Sequence, residues 1–146
     1  MSAQNDGLGT AAPYALALLV CDAIHVDPGT GKKTILGCFS TISARSFPAT
    51  HPLMCVYAVL TDGHGVVPVT VRMIDVDEEK QPVFEVKAEA SFPDPTIVCE
   101  VCLGVQNVTL PDAGEYRLQL MAGPSLLMER RILVRRIGDG ADEPTA

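Results

Sequence analysis

Apolar and polar residues alternate along much of this chain with a period of two, the spacing at which side chains share one face of a β-strand. The clearest run is Val83–Ala90, in which every second residue is apolar and the residues between them are Glu, Lys and Glu. Val69–Met73 and Tyr116–Leu120 alternate in the same way. Each of these runs predicts a strand with one face in a core and the other in water.

Other runs are apolar on both faces for much of their length, which is typical of strands that are covered on both sides. They are Tyr14–Val26, Thr34–Ile42 and Leu53–Thr61, and two further runs, Ile97–Val105 and Leu126–Ile137, complete the set. Glycine and proline turn signals separate the runs, and no stretch carries the apolar stripe of an amphipathic helix. Many short strands without helices predict an all-β fold, an antiparallel β-sandwich of about eight strands.

The length and the composition place one domain between two tails. The 146 residues suffice for one domain, and the ends are small, polar and rich in glycine, so we expect flexible tails at residues 1–12 and 138–146. Residues 13–137 then form the sandwich domain. The net charge of −7 argues against binding to nucleic acid or to an anionic membrane, because both need a basic surface.

The cysteines and the apolar run near the start of the chain bear on the cellular location of the protein. Tyr14–Val20 is too short to cross a bilayer, and no cationic region of a signal peptide precedes it. Cysteines number five, and three of them, Cys21, Cys38 and Cys55, lie within apolar runs as small buried hydrophobic residues do. We therefore expect reduced thiols and a cytoplasmic protein.

One segment resembles a motif of immunoglobulin-like domains. Asp112-Ala113-Gly114-Glu115-Tyr116 is similar to the Asp-x-Gly-x-Tyr sequence at the start of their penultimate strand. The resemblance implies structural roles for Asp112, Gly114 and Tyr116, with the tyrosine hydroxyl bonded to the backbone upstream in a tyrosine corner. Leu118 stands where the second disulfide cysteine of an immunoglobulin domain would lie, and the chain has no Trp. The implied fold is therefore a disulfide-free, immunoglobulin-like sandwich.

The order of motifs along the chain has a second resemblance. Together with Cys21-Asp22 and Thr34-Ile35-Leu36-Gly37-Cys38-Phe39, it is similar to an uncharacterised family of small bacterial proteins of unknown function. This resemblance implies no activity, cofactor or partner.

Four arginines lie within seven residues of the last predicted strand of this acidic chain: Arg130, Arg131, Arg135 and Arg136. On a strand, Arg131 and Arg135 share one face and the other two share the opposite face. They could protect a sheet edge from aggregation, or present planar donors to carboxylates on a protein partner or a second copy of the chain. The leading hypothesis is a non-catalytic binding or scaffolding module without a cofactor.

An alternative hypothesis comes from the loops. If consecutive strands run antiparallel, alternate loops gather at one end, and His25, Asp27, Asp62 and His64 would meet there. Such a group could bind a divalent cation or act as a weak acid–base site, giving a small enzyme or a metal-dependent ligand binder. An ordinary polar loop end is the simpler explanation. Asp22, inside an apolar run, is expected to be buried. Pairing with backbone amides or an arginine would make its role structural, and the sequence leaves a functional role as the alternative.

Overall fold

The computed structural model describes residues 12–77 and 81–138, and within these ranges it contains nine strands and no helix. The strands are β1 (Tyr14–Val26), β2 (Lys33–Cys38), β3 (Thr41–Ala44), β4 (Ala49–Thr61), β5 (Gly65–Asp75), β6 (Phe84–Phe92), β7 (Cys99–Leu110), β8 (Gly114–Ala122) and β9 (Ser125–Arg136). Consequently, no helix in the described part of the chain is long and apolar enough to cross a membrane. Apart from residues 12 and 138, the predicted tails lie outside the described residues.

The strands form two sheets. One has the order β2-β1-β4-β7 and the other the order β3-β9-β8-β5-β6. Neighbouring strands are antiparallel except β3 and β9, which are parallel. The pairing of β4 with β7 in one sheet, opposite β9-β8-β5 in the other, is the immunoglobulin-like arrangement. The prediction of an all-β, immunoglobulin-like sandwich is therefore confirmed.

The sandwich core lies between the two sheets and is mostly aliphatic. Alternate residues of each strand point into it, as the period of two predicts. In β4 these are Met54, Val56, Ala58 and Leu60, and in β8 they are Tyr116, Leu118 and Leu120, all fully buried. The side chains between them on β4 and β8 point outward, where the polar groups discussed below are found.

The predicted strand Thr34–Ile42 is in fact two strands that belong to different sheets. β2 pairs with β1, whereas β3 pairs with β9, and the chain crosses between the sheets at Phe39 and Ser40. Phe39 is 5% exposed and belongs to the core, whereas Ser40 is exposed. Because Phe39 and Ile42 on either side of Ser40 are both apolar and buried, the sequence pattern does not reveal that the chain changes sheets here. The crossing adds one reversal of chain direction before β4.

The β1–β2 hairpin bends back over the outer face of its own sheet. Lys33 pairs with Val26, and Glu100 lies in the row of Val59 and Ala17. Along a straight β1 these rows would be about 30 Å apart. The Lys33 Nζ nevertheless lies 2.7 Å from Glu100 Oε1, so the hairpin must fold over the sheet.

The bend explains two observations at its base. Cys21 points away from the sandwich core, yet its side chain is fully buried, because the hairpin covers this part of the outer face. Asp22 is exposed, so the prediction that it is buried was wrong. Its carboxylate lies against Gly37, which has a φ of 70° and where a Cβ atom would be 2.4 Å from Oδ2.

Candidate functional site

The last strand divides its four arginines between two faces, as the alternation predicts. Ile132 and Val134 are buried on the inner face, whereas Leu133, between them in sequence, is 45% exposed on the outer face. Arg131 and Arg135 therefore lie on the outer face. The prediction that this strand forms a sheet edge was only partly right, because β3 pairs with it from Leu133 to Arg136.

Arg130, on the inner face, joins the two sheets. Its Nη1 donates a hydrogen bond to the Leu18 carbonyl at 2.9 Å, and its Nη2 donates to Ser40 Oγ at 3.2 Å. Pairing between β1 and β2 begins only at Cys21, so no strand lies beside β1 at Leu18 on that side. Arg130 thus satisfies a backbone acceptor at a sheet edge, and its Nε is buried without a partner among the described residues. This arginine has a structural role.

Arg136 also holds parts of the fold together. Its guanidinium carbon lies 4.9 Å from the centroid of the Phe47 ring, a cation–π distance. Its Nη1 donates a hydrogen bond to the Arg45 carbonyl at 3.2 Å. Both contacts join the end of β9 to the segment that precedes β4.

Arg131 lies on the outer face opposite another arginine. In the β8–β9 register it pairs with Arg117, and like charges in such a pair repel. Glu115 compensates for this, because its Oε2 accepts hydrogen bonds from Arg117 Nε at 2.7 Å and from Arg131 Nε at 3.1 Å. The hydrogen bond from Arg117, with a smaller contribution from Arg131, lowers the pKa of Glu115 below its ordinary value. The Arg131 side chain remains 62% exposed.

A polar network extends from this carboxylate across β8 to β5. Arg117 Nη1 donates to Glu129 Oε1 at 3.1 Å, and Gln119 Nε2 donates to Glu129 Oε2 at 2.7 Å. Gln119 in turn accepts a hydrogen bond from Arg72 Nε at 2.7 Å. The network holds Arg72 and Arg117 in place on the sheet, which leaves Arg131 at its outer margin.

Arg135 and Leu133 continue the exposed row on the strand. Arg135 Nε donates to Ser43 Oγ on β3 at 3.4 Å. Within the described ranges, Nη1 and Nη2 of Arg131 and of Arg135 have no partner. We call Arg131, Leu133 and Arg135 the β9 outer row. Alternate residues on a strand are about 6.6 Å apart, so the two arginine Cα atoms are separated by about 13 Å.

The predicted metal or acid–base group does not assemble. His25 pairs with Thr34 near one end of β1, whereas Asp62 follows Thr61, which pairs with Tyr14 at the other end. The reversal at β3 sets β4 antiparallel to β1, so Asp62 follows the end of β4 that pairs with the start of β1. Nowhere in residues 12–77 or 81–138 do three His, Cys, Asp or Glu side chains lie close enough to hold a metal ion.

Two of these residues form hydrogen bonds that stabilise loops. Asp27 Oδ2 accepts hydrogen bonds from the backbone N and from Oγ1 of Thr30, both at 2.8 Å, and these bonds lower the pKa of Asp27. Asp62 has a positive φ of 62°, and its backbone N donates to the Pro95 carbonyl at 3.0 Å. The Asp27 arrangement is typical of a turn, whereas the Asp62 hydrogen bond joins the β4–β5 loop to the β6–β7 loop.

His64 lines a shallow cavity of about 390 Å³ near the start of β5. Most of the lining is apolar, including Pro13, Val66, Pro68 and Pro124. No second histidine or carboxylate among the described residues lines it, so the cavity offers His64 no acid–base partner.

Sequence reasoning missed a polar cluster beneath the β1–β2 hairpin. Glu100 accepts hydrogen bonds from Lys33 Nζ at 2.7 Å and from the Tyr57 hydroxyl. The bond to Glu100 raises the pKa of Tyr57 to about 12, and burial raises the pKa of Cys21 nearby to about 11. Both groups are protonated at neutral pH, so the cluster offers no activated nucleophile. We call the Lys33–Glu100–Tyr57 group the hairpin clasp; its only sequence signal is a glutamate within an apolar strand.

The tyrosine corner is present as the resemblance implies. The Tyr116 hydroxyl donates to the Asp112 carbonyl at 2.7 Å, and the side chain is fully buried. Gly114 has a φ of +152°, a conformation that other residues rarely adopt. Asp112 therefore contributes a backbone carbonyl to the corner, Gly114 a positive φ and Tyr116 the hydroxyl.

Comparison with known proteins gives a family but no activity. No curated protein matches the sequence. Among solved structures, an immunoglobulin-like protein from Pseudomonas aeruginosa is 15% identical, with a TM-score of 0.41, and the match covers 86% of this chain and 98% of that one. The model of a family of unknown function, DUF6941, matches residues 16–135. The chain therefore belongs to this family.

Proposed function

We propose that this protein is a non-catalytic binding module that recognises a protein partner through the β9 outer row. One observation carries the proposal: in a chain of net charge −7, two outward-facing arginines flank the exposed Leu133. Arginine is enriched at protein interfaces, where its planar donors pair with carboxylates while apolar neighbours are buried. Electrostatic complementarity would make an acidic partner surface the preferred one.

Comparison of the four arginines supports this choice. Arg130 and Arg136 contact the backbone of other elements, so their positions are explained by the fold. Arg131 and Arg135 use only Nε, and their terminal nitrogens point to no described group. Edge protection would require only charge, and it does not account for an exposed leucine between two arginines.

The proposed location is the cytoplasm. All five cysteines are free, including exposed Cys38 and Cys102. Exposed free thiols are compatible with a reducing compartment. Fractionation of native cells, followed by immunoblotting, tests this part of the proposal, and recovery in a secreted or periplasmic fraction would contradict it.

Photocrosslinking tests the proposed surface. A photoreactive amino acid replaces Leu133 in the full chain, and the control carries it at Gln106, which is exposed on the opposite sheet. In native cells we expect a discrete adduct from position 133 and none from position 106. The adduct should persist in a Lys87→Glu background, because Lys87 lies on the same face three strands away. Equal adducts from both positions would contradict the proposal.

A further inference from the structure

We infer that the β9 outer row binds an extended acidic segment with carboxylates at positions i and i+4 and an apolar residue at i+2. This inference rests on the proposed function and names the chemistry of the partner. It follows from the spacing of the row and from the nitrogens that its arginines leave unused.

The spacing of the row matches an extended chain. Arg131, Leu133 and Arg135 are alternate residues of one strand, so each lies about 6.6 Å from the next. A partner segment in β conformation presents every second side chain on one face with the same period. A segment lying along β9 therefore places two carboxylates over the arginines when an apolar side chain covers Leu133. Helical segments and segments with adjacent carboxylates do not match this period.

Each arginine of the β9 outer row leaves two terminal nitrogens for bidentate pairing. Glu115 holds Nε of Arg131, and Ser43 holds Nε of Arg135, so each guanidinium group is anchored by its inner nitrogen. The two terminal nitrogens of each group have no hydrogen-bond partner among the described residues, and a carboxylate accepts two parallel hydrogen bonds from such a pair. A lysine ammonium carries the same charge but cannot form this arrangement. The site is therefore expected to require arginine and not merely positive charge.

Two capped, fluorescently labelled peptides test the spacing by anisotropy with the full chain. The first has the sequence Thr-Glu-Thr-Leu-Thr-Glu-Thr, and the second contains the same residues with the two glutamates adjacent. We expect the first to bind about tenfold more tightly, the effect of roughly one charge-assisted hydrogen bond. The preference should disappear in the Arg131→Lys/Arg135→Lys double variant and persist in Lys87→Glu.

Each contrary outcome has a definite meaning. Equal binding of the two peptides, or a preference that survives the lysine double variant, overturns the inference. Failure of both peptides to bind also overturns it, but leaves the proposed function standing if the Leu133 adduct is still formed. Light scattering of the protein alone, in comparison with the Arg131→Glu/Arg135→Glu variant, detects a dimer formed through the row. Such a dimer would assign the row to a second copy of the chain and overturn the inference.

Discussion

Glu115 shows how one residue on the outer face makes an unfavourable charge pair acceptable. Arg117 and Arg131 face each other in register, and the Glu115 carboxylate binds both. The same carboxylate anchors Arg131 for the proposed binding role. Removal of the Glu115 charge should therefore lower the stability of the fold and also weaken the hydrogen bond that anchors Arg131.

The Glu115→Gln substitution should lower the unfolding midpoint and reduce its dependence on pH. The pKa of Glu115 is lowered in the fold from its ordinary value of 4.5, chiefly by Arg117. Its stabilising contribution is thus complete above the ordinary pKa and is lost as the pH falls through the lowered value. Urea unfolding at about pH 7 and about pH 3 measures the effect.

Glu89→Gln, on the same face of β6, is the matched control. Glu115→Gln should lose less free energy of unfolding between the two pH values than either the wild type or this control. An equal loss in all three proteins would contradict the role assigned to Glu115.

Tyr116 provides a second test at the level of single residues. Removal of its hydroxyl breaks the partly buried hydrogen bond to the Asp112 carbonyl. The Tyr116→Phe substitution should therefore cost about 1 kcal/mol in the free energy of unfolding, the usual net value of a buried hydrogen bond. Tyr14, which is 63% exposed, provides the control substitution Tyr14→Phe. Chemical denaturation measures both, and identical midpoints would show that the corner does not stabilise the domain.

Among the elements, the β1–β2 hairpin departs furthest from a regular sheet. Its apolar residues are typical of a central strand, but it covers the outer face of β1-β4-β7 and is held there by the hairpin clasp. Burial of Cys21 outside the core depends on this position. The clasp is thus the contact whose loss should uncover thiols without unfolding the sandwich.

The Lys33→Ala substitution should accelerate labelling of Cys21, the buried thiol, by a thiol reagent in the native protein. Lys33 Nζ supplies the ion pair to Glu100, and release of the hairpin exposes the Cys21 sulfur, which burial now shields. Lys32→Ala, at a neighbouring exposed position of the same turn, is the control. Mass spectrometry of labelled peptides over time measures the rates. If Cys21 is labelled as slowly in Lys33→Ala as in Lys32→Ala and the wild type, the hairpin clasp does not hold the hairpin in place.

For the whole molecule, the sequence is informative wherever local alternation decides the structure. The period of two identifies the inward faces of β5, β6 and β8, and the Asp-x-Gly-x-Tyr motif locates the tyrosine corner. The alternation of apolar residues and arginines along β9 also separates the outer arginines from the inner pair. These features depend on neighbouring residues alone.

Features that depend on distant residues could not be obtained in this way. The crossing at Phe39 and Ser40 carries no Gly or Pro turn signal between the two strands, and an error of one strand there reverses the direction of β4. The prediction that His25 and Asp62 meet is wrong for this reason. His25 lies near the end of β1, whereas Asp62 follows the end of β4 that pairs with the start of β1. The contact between Arg130 and Leu18 and the hairpin clasp join residues far apart in sequence, and no local pattern marks them.

In this protein Arg130 and Arg136 hold parts of the fold together, and Arg131 and Arg135 are the arginines proposed for binding. The most direct test is the yield of the Leu133 photoadduct in the Arg131→Glu/Arg135→Glu variant, with its urea unfolding midpoint determined on the same preparation. We predict that the adduct is lost while urea unfolding stays cooperative, because both side chains lie on the exposed outer face of β9, where loss of the Arg131–Glu115 ion pair costs little. An adduct that survives the charge reversal in a folded protein would contradict the proposed binding role.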